Sequence, residues 1–261
     1  MNFEDEHAVL YQALESVTEV LKDKQIPYYL IGGSAIGAVR DNEIIPWDDD
    51  IDLGIERKYF SYALKCIKEH VQSSGLRVYE PSLDTSFDLT FAKVVNSVPG
   101  QELIDRETGI VGAYIDIFPL DHTAQNIQLR RLHQFLFRGG HALTVAKNRP
   151  SKLGSRWGRL GGYLIKKSVG AMSYRNVYRI RDVFILFGKF FSHSSVLYNF
   201  GTPYENDREI YFQSEIADKK LFLFGDSFQP VPIGYESILS RTYGDYMKPP
   251  KNTKQKHLSK L

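Results

Sequence analysis

Four aspartates lie close together between Asp48 and Asp52, where three consecutive acids are followed by Ile51 and a fourth acid. Carboxylates at contact distance repel and raise one another's pKa, so such a run is costly in a folded segment unless a cation compensates it. Hard divalent cations prefer carboxylate oxygens. The acids continue into an apolar alternation, and the side chains of a strand alternate between its faces. We therefore predict that Asp50 and Asp52 converge on one metal ion, with an acidic surface loop as the alternative.

A third acid, Asp116, stands between Ile115 and Ile117 in another apolar strand pattern. It is either a carboxylate at a strand edge or the third member of a cluster that holds two ions. Two metal ions about 3.5–4 Å apart can stabilise the attacking and leaving oxygens of an in-line displacement. We predict a cluster of Asp50, Asp52 and Asp116, and leave open whether Asp116 is a second metal ligand or a general base.

A glycine-rich turn, Gly32-Gly33-Ser34, precedes the acids between a predicted strand and a predicted helix. Backbone N–H groups at a helix start bind anions, and glycine lets a phosphate approach closely. Most Gly-Gly-Ser sequences are plain turns, but the spacing to Asp50 and Asp52 matches the nucleotidyltransferase pattern of glycine turn, short helix and Asp-apolar-Asp. We predict that Gly33 and Ser34 contact the phosphates of a donor.

Three further side chains are candidates for holding that donor. Arg40 follows the glycine turn, and Lys93 lies in a predicted strand where a lysine is unusual. Either cation could offset the charge on reacting phosphoryl oxygens, with a surface salt bridge as the alternative for Arg40. Trp47 could stack on a base or, through a cation–π contact, on a choline-like group; packing beside Pro46 is the alternative.

The elements that must position these residues alternate between helix and strand. Apolar spacing predicts helices over residues 3–24, 35–41, 57–72, 128–148, 172–192 and 235–243. Short apolar or alternating runs predict strands over residues 28–31, 47–55, 76–80, 88–95 and 112–118. Asp121 follows the last of these strands; we predict a turn acid before the basic segment, with membership of the carboxylate site as the alternative. This order predicts an α/β or α+β fold in which a mixed sheet is flanked by helices.

Charge is segregated along the chain, although the net charge is only +2. Residues 122–181 contain 13 Lys or Arg and no Asp or Glu, so the rest of the chain holds 20 basic and 31 acidic residues. A basic segment attracts phosphates, anionic lipid or nucleic acid, and a solvated helical face is the alternative. Because Trp157 and Tyr163 lie among the basic residues, we predict peripheral membrane contact through residues 122–181. We predict no nucleic-acid partner, since no recognition helix or aromatic stacking motif is evident.

The length of 261 residues allows one sizeable domain with an insertion. We predict a catalytic core over residues 1–121, a basic and mainly helical insertion over 122–200, and a C-terminal segment over 201–261 that packs back on the core. The single cysteine excludes an intrachain disulfide and a thiolate zinc cluster. Without a signal region or a long apolar run, the chain is predicted to be cytoplasmic, with peripheral contact at the inner face of the membrane.

These motifs resemble the LicD family. The most specific block runs from Ile45 to Asp52, and it is preceded by Gly33-Ser34 and by the segment 37–40. Residues 115–121 resemble the second family motif, and short blocks within 230–250 resemble a third. The resemblance spans roughly residues 25–250. It implies a nucleotidyltransferase-like fold, a requirement for Mg²⁺ with Mn²⁺ as the alternative, and catalytic roles for Asp50, Asp52 and Asp116.

The resemblance also implies a reaction. Relatives include bacterial cell-envelope enzymes and fukutin-type ribitol-phosphate transferases. The expected reaction is transfer of a phosphoalcohol, such as phosphocholine, from a CDP-activated donor to a hydroxyl of a cell-surface glycan or its lipid-linked precursor. The alternative is a nucleotidyltransferase that moves an NMP onto a small molecule or protein. Release of CMP would indicate the first reaction, and release of pyrophosphate the second.

Overall fold

The computed structural model describes residues 3–72, 74–80, 89–96, 103–105, 112–148, 167–204, 206–250 and 258–260. Its helices are α1 (Phe3–Asp23), α2 (Gly32–Ile36), α3 (Arg57–Val71), α4 (Ile127–Asn148), α5 (Tyr174–Leu186) and α6 (Tyr235–Tyr243). A wide π-type turn, Gly37–Asp41, extends α2, and 3-10 turns occupy Phe187–Phe191 and Asn206–Glu209. The strands are β1 (Tyr29–Leu30), β2 (Asp50–Glu56), β3 (Leu76–Tyr79), β4 (Ala92–Asn96), β5 (Leu103–Asp105), β6 (Ala113–His122), β7 (Val196–Asn199), β8 (Ile210–Phe212), β9 (Lys219–Phe224), β10 (Ser227–Pro232) and β11 (Leu258–Lys260).

The central sheet of the described chain has seven strands and mixed direction. Its main path follows the order β1-β2-β6-β4-β3, and β7 and β8 extend it from the far end of β6. Strands β2 and β6 are parallel neighbours, whereas the other pairs are antiparallel. The predicted α/β class, with a mixed sheet flanked by helices, is confirmed.

One face of this sheet forms the main hydrophobic core. Ile51, Leu53 and Ile55 of β2 and Ile115 and Ile117 of β6 have no solvent exposure, and they pack in one cluster with apolar residues of α1 and α3. Full burial of each side chain of this size contributes roughly 1.5–3 kcal/mol. Because a shift of one residue would move the whole apolar set to the other face, burial sets the register of both strands. The intervening acids must therefore point to the opposite face.

Two predicted strand boundaries are wrong because a strand begins where a neighbour pairs with it, and one predicted helix end is also wrong. The strand predicted over 47–55 begins at Asp50, and the strand predicted over 88–95 begins at Ala92, where pairing with β6 begins. The helix predicted over 172–192 ends at Leu186 and continues as a 3-10 turn.

The prediction that Asp121 lies in a turn is wrong. β6 runs on to His122 and pairs Asp121 with Tyr198 of β7. Arg57, the first residue of α3, donates to the two carboxylate oxygens of Asp121 from Nε at 2.7 Å and from Nη2 at 2.8 Å. Asp121 is buried, so this bidentate pair joins the start of α3 to the sheet at a partly desolvated position.

The division into a core, an insertion and a C-terminal segment stays a prediction. Within residues 122–200, helices α4 and α5 pack against each other, and β7 is a strand of the central sheet. Within residues 201–261, the β9–β10 hairpin brings Phe224 against Tyr11 of α1, with ring centroids 5.6 Å apart. The chain after residue 121 therefore contributes both to the sheet and to the helix packing beside it.

Candidate active site

Asp52 and Asp116 lie side by side in the sheet. The parallel register of β2 and β6 pairs Asp52 with Asp116 and pairs Asp50 with Tyr114. Carboxylate oxygens of Asp50, Asp52 and Asp116 all lie within 4.8 Å of one another, and the same is true of Asp48, Asp49 and Asp50. The structure therefore brings the three predicted ligands together on the face of the sheet opposite the main core.

The two glycines beside this cluster form the first turn of α2, and not a turn before the helix as predicted. Gly32 has a φ of +59°, a left-handed conformation that favours glycine. A Cβ atom on Gly32 would collide with the carboxylate of Asp52, and one on Gly33 would collide with the carboxylate of Asp48. Glycine at both positions keeps open the space beside the acids that any side chain would fill.

Ser34 lies behind Asp52. Its buried hydroxyl accepts a hydrogen bond from the N–H of Asp52 at 2.8 Å, and the N–H of Ile31 donates to the Asp52 carbonyl at 3.1 Å. The start of α2 thus holds the backbone of Asp52 from both sides. The predicted phosphate contact of Ser34 stays a prediction, but the hydroxyl already has this positioning contact.

The acids face a cavity of about 970 Å³. Its floor is the carboxylate-bearing face of the sheet, and its walls come from α2, α4 and the segment after β7. A cavity of this size can hold a nucleotide-sized ligand. The predicted donor-binding residues that line it are Gly33, Arg40, Trp47 and Lys93.

Lys93 stands beside Asp116 because the antiparallel register of β4 and β6 pairs them. Its Nζ donates to Oδ1 of Asp116 at 2.7 Å and to Oδ2 at 2.9 Å, and it lies 3.5 Å from the centroid of the Tyr114 ring. Both charged side chains are buried. Buried charges persist where they are paired, so this ion pair is built into the floor of the cavity. Contact of Lys93 with a phosphate stays a prediction.

Arg40 and Trp47 lie together at the cavity. Arg40 donates to the two carboxylate oxygens of Asp41 at 2.8 and 2.6 Å and to the carbonyl of Tyr246 at 3.2 Å. Its guanidinium carbon lies 5.8 Å from the centroid of the Trp47 ring. Arg40 therefore forms a salt bridge, but its side chain is only 9% exposed, so this is not the surface salt bridge that the sequence left as the alternative. Arg40 also joins the C-terminal segment to the turn after α2 and lines the cavity.

Burial and neighbouring charge raise the pKa of Asp52 well above its usual value. Burial is the largest cause, and the carboxylates of Asp50, Asp116 and Asp48 follow. Neighbouring acids thus push this carboxyl toward its neutral form, which is the electrostatic condition that a bound cation relieves. With the oxygens close together and the glycines leaving space beside them, the residues fit a divalent cation.

Glu209 is a cavity carboxylate that sequence reasoning missed. It lies just before β8 and is buried; Nδ2 of Asn199 donates to its Oε2 at 2.9 Å, and Oδ1 of Asn199 accepts from the N–H of Gly201 at 2.8 Å. Burial raises the pKa of Glu209 to about 7, although hydrogen bonds from Thr202 and Asn199 lower it. No motif spacing connects Glu209 with the aspartates, so only the fold could reveal it.

The raised pKa of Glu209 predicts a pH-dependent stability. Between its usual pKa of 4.5 and the folded value of about 7, the unfolded chain loses the proton while the folded chain keeps it. The free energy of unfolding therefore falls as pH rises through this interval. In Glu209→Gln, we expect the free energy of unfolding to fall less across this pH interval than in the wild type, by up to about 3 kcal/mol. Urea unfolding at a series of pH values measures this difference. The raised pKa of Asp52 also lowers the free energy of unfolding as pH rises, and it does so in the wild type and in Glu209→Gln alike. If the free energy of unfolding fell by the same amount with pH in both proteins, the expectation would be contradicted.

The segment without sequence motifs supplies one wall of the cavity. Four residues of α4 line it, and so do the residues from Tyr198 to Tyr204. The four from α4 are Gln134, Phe137, Arg138 and His141. Neither set was predicted, because helical spacing in α4 indicates an amphipathic helix without saying what its inner face contacts.

The basic segment is only partly described, since residues 149–166, with Trp157 and Tyr163, lie outside the described residues. In the described part, Arg130 donates to the Asp207 carboxylate at 2.9 and 2.7 Å. Arg181 is buried, pairs with Asp182 at 2.9 Å and donates to the carbonyl of Leu89 at 3.2 Å. Some of the positive charge therefore serves internal packing. In the ranges that the structure covers, no helix has the length and apolar character needed to span a bilayer.

Comparison with known proteins identifies part of the chain. Residues 25–133 match the family model described as LicD/FKTN/FKRP, nucleotidyltransferase domain. An uncharacterised protein of Rickettsia prowazekii is 46% identical over 46 residues, which are 18% of this chain and 17% of that protein. Ribitol 5-phosphate transferase FKRP of Homo sapiens is 48% identical over 46 residues, which are 18% of this chain and 9% of that protein. The resemblance to the LicD family is confirmed over residues 25–133, and the segment matched to these curated relatives spans less than a fifth of their length.

A solved structure of the antibiotic-resistance factor ANT(2'')-Ia is also similar. The match covers 72% of this chain and 97% of that chain, with 15% sequence identity and a TM-score of 0.29. At this TM-score the likeness supports no statement about fold or function. The fold class rests on the described sheet and helices themselves.

Proposed function

Because residues 25–133 carry a LicD-type nucleotidyltransferase domain, we propose that this protein transfers a phosphoalcohol from a CDP-activated donor to a hydroxyl of a cell-surface glycan or its lipid-linked precursor. The observation that carries the proposal is the convergence of Asp50, Asp52 and Asp116 beside the glycines of α2. The similarity to FKRP, whose name describes ribitol 5-phosphate transfer, supports the same class of reaction.

Asp50, Asp52 and Asp116 are the proposed holders of Mg²⁺ or Mn²⁺. When bound, such a cation would neutralise the donor diphosphate and the charge on the transferred phosphoryl group. The start of α2 supports this role, since Gly32 and Gly33 allow a diphosphate to approach the backbone next to the carboxylates. These backbone groups would orient the diphosphate within the cavity.

Asp116 is proposed as a ligand and not as the general base. The Lys93 ammonium contacts both of its carboxylate oxygens, at 2.7 and 2.9 Å. Such an ion pair favours the ionised carboxylate, which suits a permanent ligand better than a group that must take up and release a proton. Of the two roles that the sequence left open for Asp116, the proposal takes that of a metal ligand.

The proposed reaction is tested by nucleotide release. The protein would be incubated with CDP-choline, CDP-glycerol, CDP-ribitol or CDP-ethanolamine, Mg²⁺ and extracted cell-envelope glycan as acceptor. We expect CMP release from one donor, loss of that release with EDTA, and its recovery on adding Mg²⁺ or Mn²⁺. CMP release above a tenth of the full rate in the presence of chelator would remove the metal mechanism. Pyrophosphate release from a nucleoside triphosphate would favour the nucleotidyltransferase alternative.

Peripheral membrane contact is part of the proposal because a lipid-linked acceptor lies at a bilayer. Leu132 and Phe135 of α4 and Phe190 after α5 are exposed, the two phenylalanines by 72% and 81%. Arg131 and Lys189 are their exposed sequence neighbours. Exposed apolar side chains with cations beside them suit an anionic membrane surface. A cytoplasmic location stays a prediction.

A further inference from the structure

Lys93 and Asp116 belong to one row of residues across the sheet. The register places Tyr79 of β3, Lys93 of β4, Asp116 of β6 and Asp52 of β2 side by side in that order. Asp116 is therefore flanked by an acid on one side and by a fixed ammonium on the other. Asp52 lies on one side of Asp116, whereas the side facing β4 already holds a cation.

The surroundings of Lys93 keep its charge at this position. Its side chain is 3% exposed, and its Nζ lies over the ring of Tyr114 at 3.5 Å and near the ring of Phe91 at 5.4 Å from the centroids. The faces of these aromatic rings attract the ammonium electrostatically, and they contact it in place of water. Moving the lysine away from Asp116 would leave a buried charge uncompensated, which is strongly unfavourable. The ammonium is thus a permanent part of the floor.

The ammonium of Lys93 limits how many divalent ions can contact Asp116. It lies against both carboxylate oxygens of Asp116, at 2.7 and 2.9 Å. One divalent cation can lie between Asp116 and the acids of β2, whereas a second cation at Asp116 would lie beside the buried ammonium. In an interior of low polarity, like charges this close are strongly unfavourable.

We propose that Lys93 occupies the place of a second metal ion, so that the site holds one divalent cation and not the two predicted from the sequence. The inference rests on the proposed function, because it assumes that the aspartates bind the cation. It differs from the donor-binding role predicted for Lys93, since here the lysine acts on the cluster itself.

The test counts Mn²⁺ ions per chain by electron paramagnetic resonance, with CDP present and without turnover. We expect one ion for the wild type and for Lys93→Arg, which keeps the cation. We expect two ions for Lys93→Met and Lys93→Gln, because loss of the ammonium leaves Asp116 available to a second ion. Lys65→Met, at an exposed position of α3, is the matched control and keeps one ion.

The counts separate this inference from the proposed function. Two ions in the wild type, or one ion in folded Lys93→Met and Lys93→Gln, would overturn it. If neither neutral variant folds, the wild-type count decides, since one ion supports the inference and two contradict it. Two ions together with metal-dependent CMP release would refute the role of Lys93 and leave the proposed function standing. One ion without CMP release from any donor would support the role of Lys93 and refute the proposed function. The absence of any bound ion would refute the role of Lys93 and the proposed function together.

Discussion

Asp52→Asn is expected to lower turnover on the order of 10³-fold, and to make the metal-free protein more stable than the wild type. The amide keeps the shape of the side chain but removes a charge from the proposed metal site. In the wild type, burial and four neighbouring carboxylates raise the pKa of Asp52, so its ionised form is unfavourable in the folded state. Removing that repulsion is expected to raise the free energy of unfolding by about 1–2 kcal/mol.

The measurement pairs CMP release in Mg²⁺ with urea unfolding in EDTA near neutral pH. Asp226→Asn is the matched control, because Asp226 is exposed on the turn between β9 and β10, and it should change neither quantity. Opposite signs for activity and stability would identify Asp52 as a functional residue that the fold tolerates at a cost. If Asp52→Asn lowered both stability and activity, Asp52 would instead be a structural residue, and its assignment as a metal ligand would be refuted.

Gly32→Ala is expected to reduce turnover roughly a hundredfold and to destabilise the protein by about 2–3 kcal/mol. Two effects combine at this position. The φ of +59° is strained for alanine, and the new Cβ would collide with the Asp52 carboxylate. The collision can be relieved only by displacing Asp52 or the start of α2, and either movement disturbs the proposed ligand.

Gly75→Ala is the matched control for this substitution. Gly75 also has a left-handed φ, +80°, but a Cβ there meets nothing within 4 Å. It carries the backbone strain without the collision, so we expect a cost of about 1 kcal/mol and unchanged CMP release per folded molecule. Comparable activity losses in the two variants would mean that contact with Asp52 is not the cause, and that the glycine turn acts only through stability.

Local sequence patterns predicted the acids of the cluster well. The alternation of Ile51, Leu53 and Ile55 with polar residues indicates a strand with one buried face, and this face leaves Asp50 and Asp52 on the other. The isoleucines around Asp116 carry the same information. Patterns of this kind succeed because burial of apolar side chains in a strand depends on a period of two residues, which is readable without knowing the fold.

Contacts between distant segments were not readable in this way. The bidentate pair of Arg57 with Asp121 joins residues 64 positions apart, and the ion pair of Lys93 with Asp116 joins residues 23 positions apart. An acid followed by a basic segment resembles a turn acid until a neighbouring strand pairs with it. The ion-pair partner of a lysine in a strand cannot be predicted from the local sequence, because the packing of the whole sheet sets the order of the strands.

By itself, the sequence determined which face of each strand carries the acids, where the glycines stand before them, and that the chain forms a mixed sheet with helices. The tertiary structure alone decided that β2 and β6 are parallel neighbours in a register that pairs Asp52 with Asp116, that Lys93 stands beside them, and that Glu209 shares their cavity. The physical reason is that side-chain direction follows from local backbone geometry and burial. Strand neighbours and ion-pair partners, in contrast, follow from the lowest free energy of the complete packed chain.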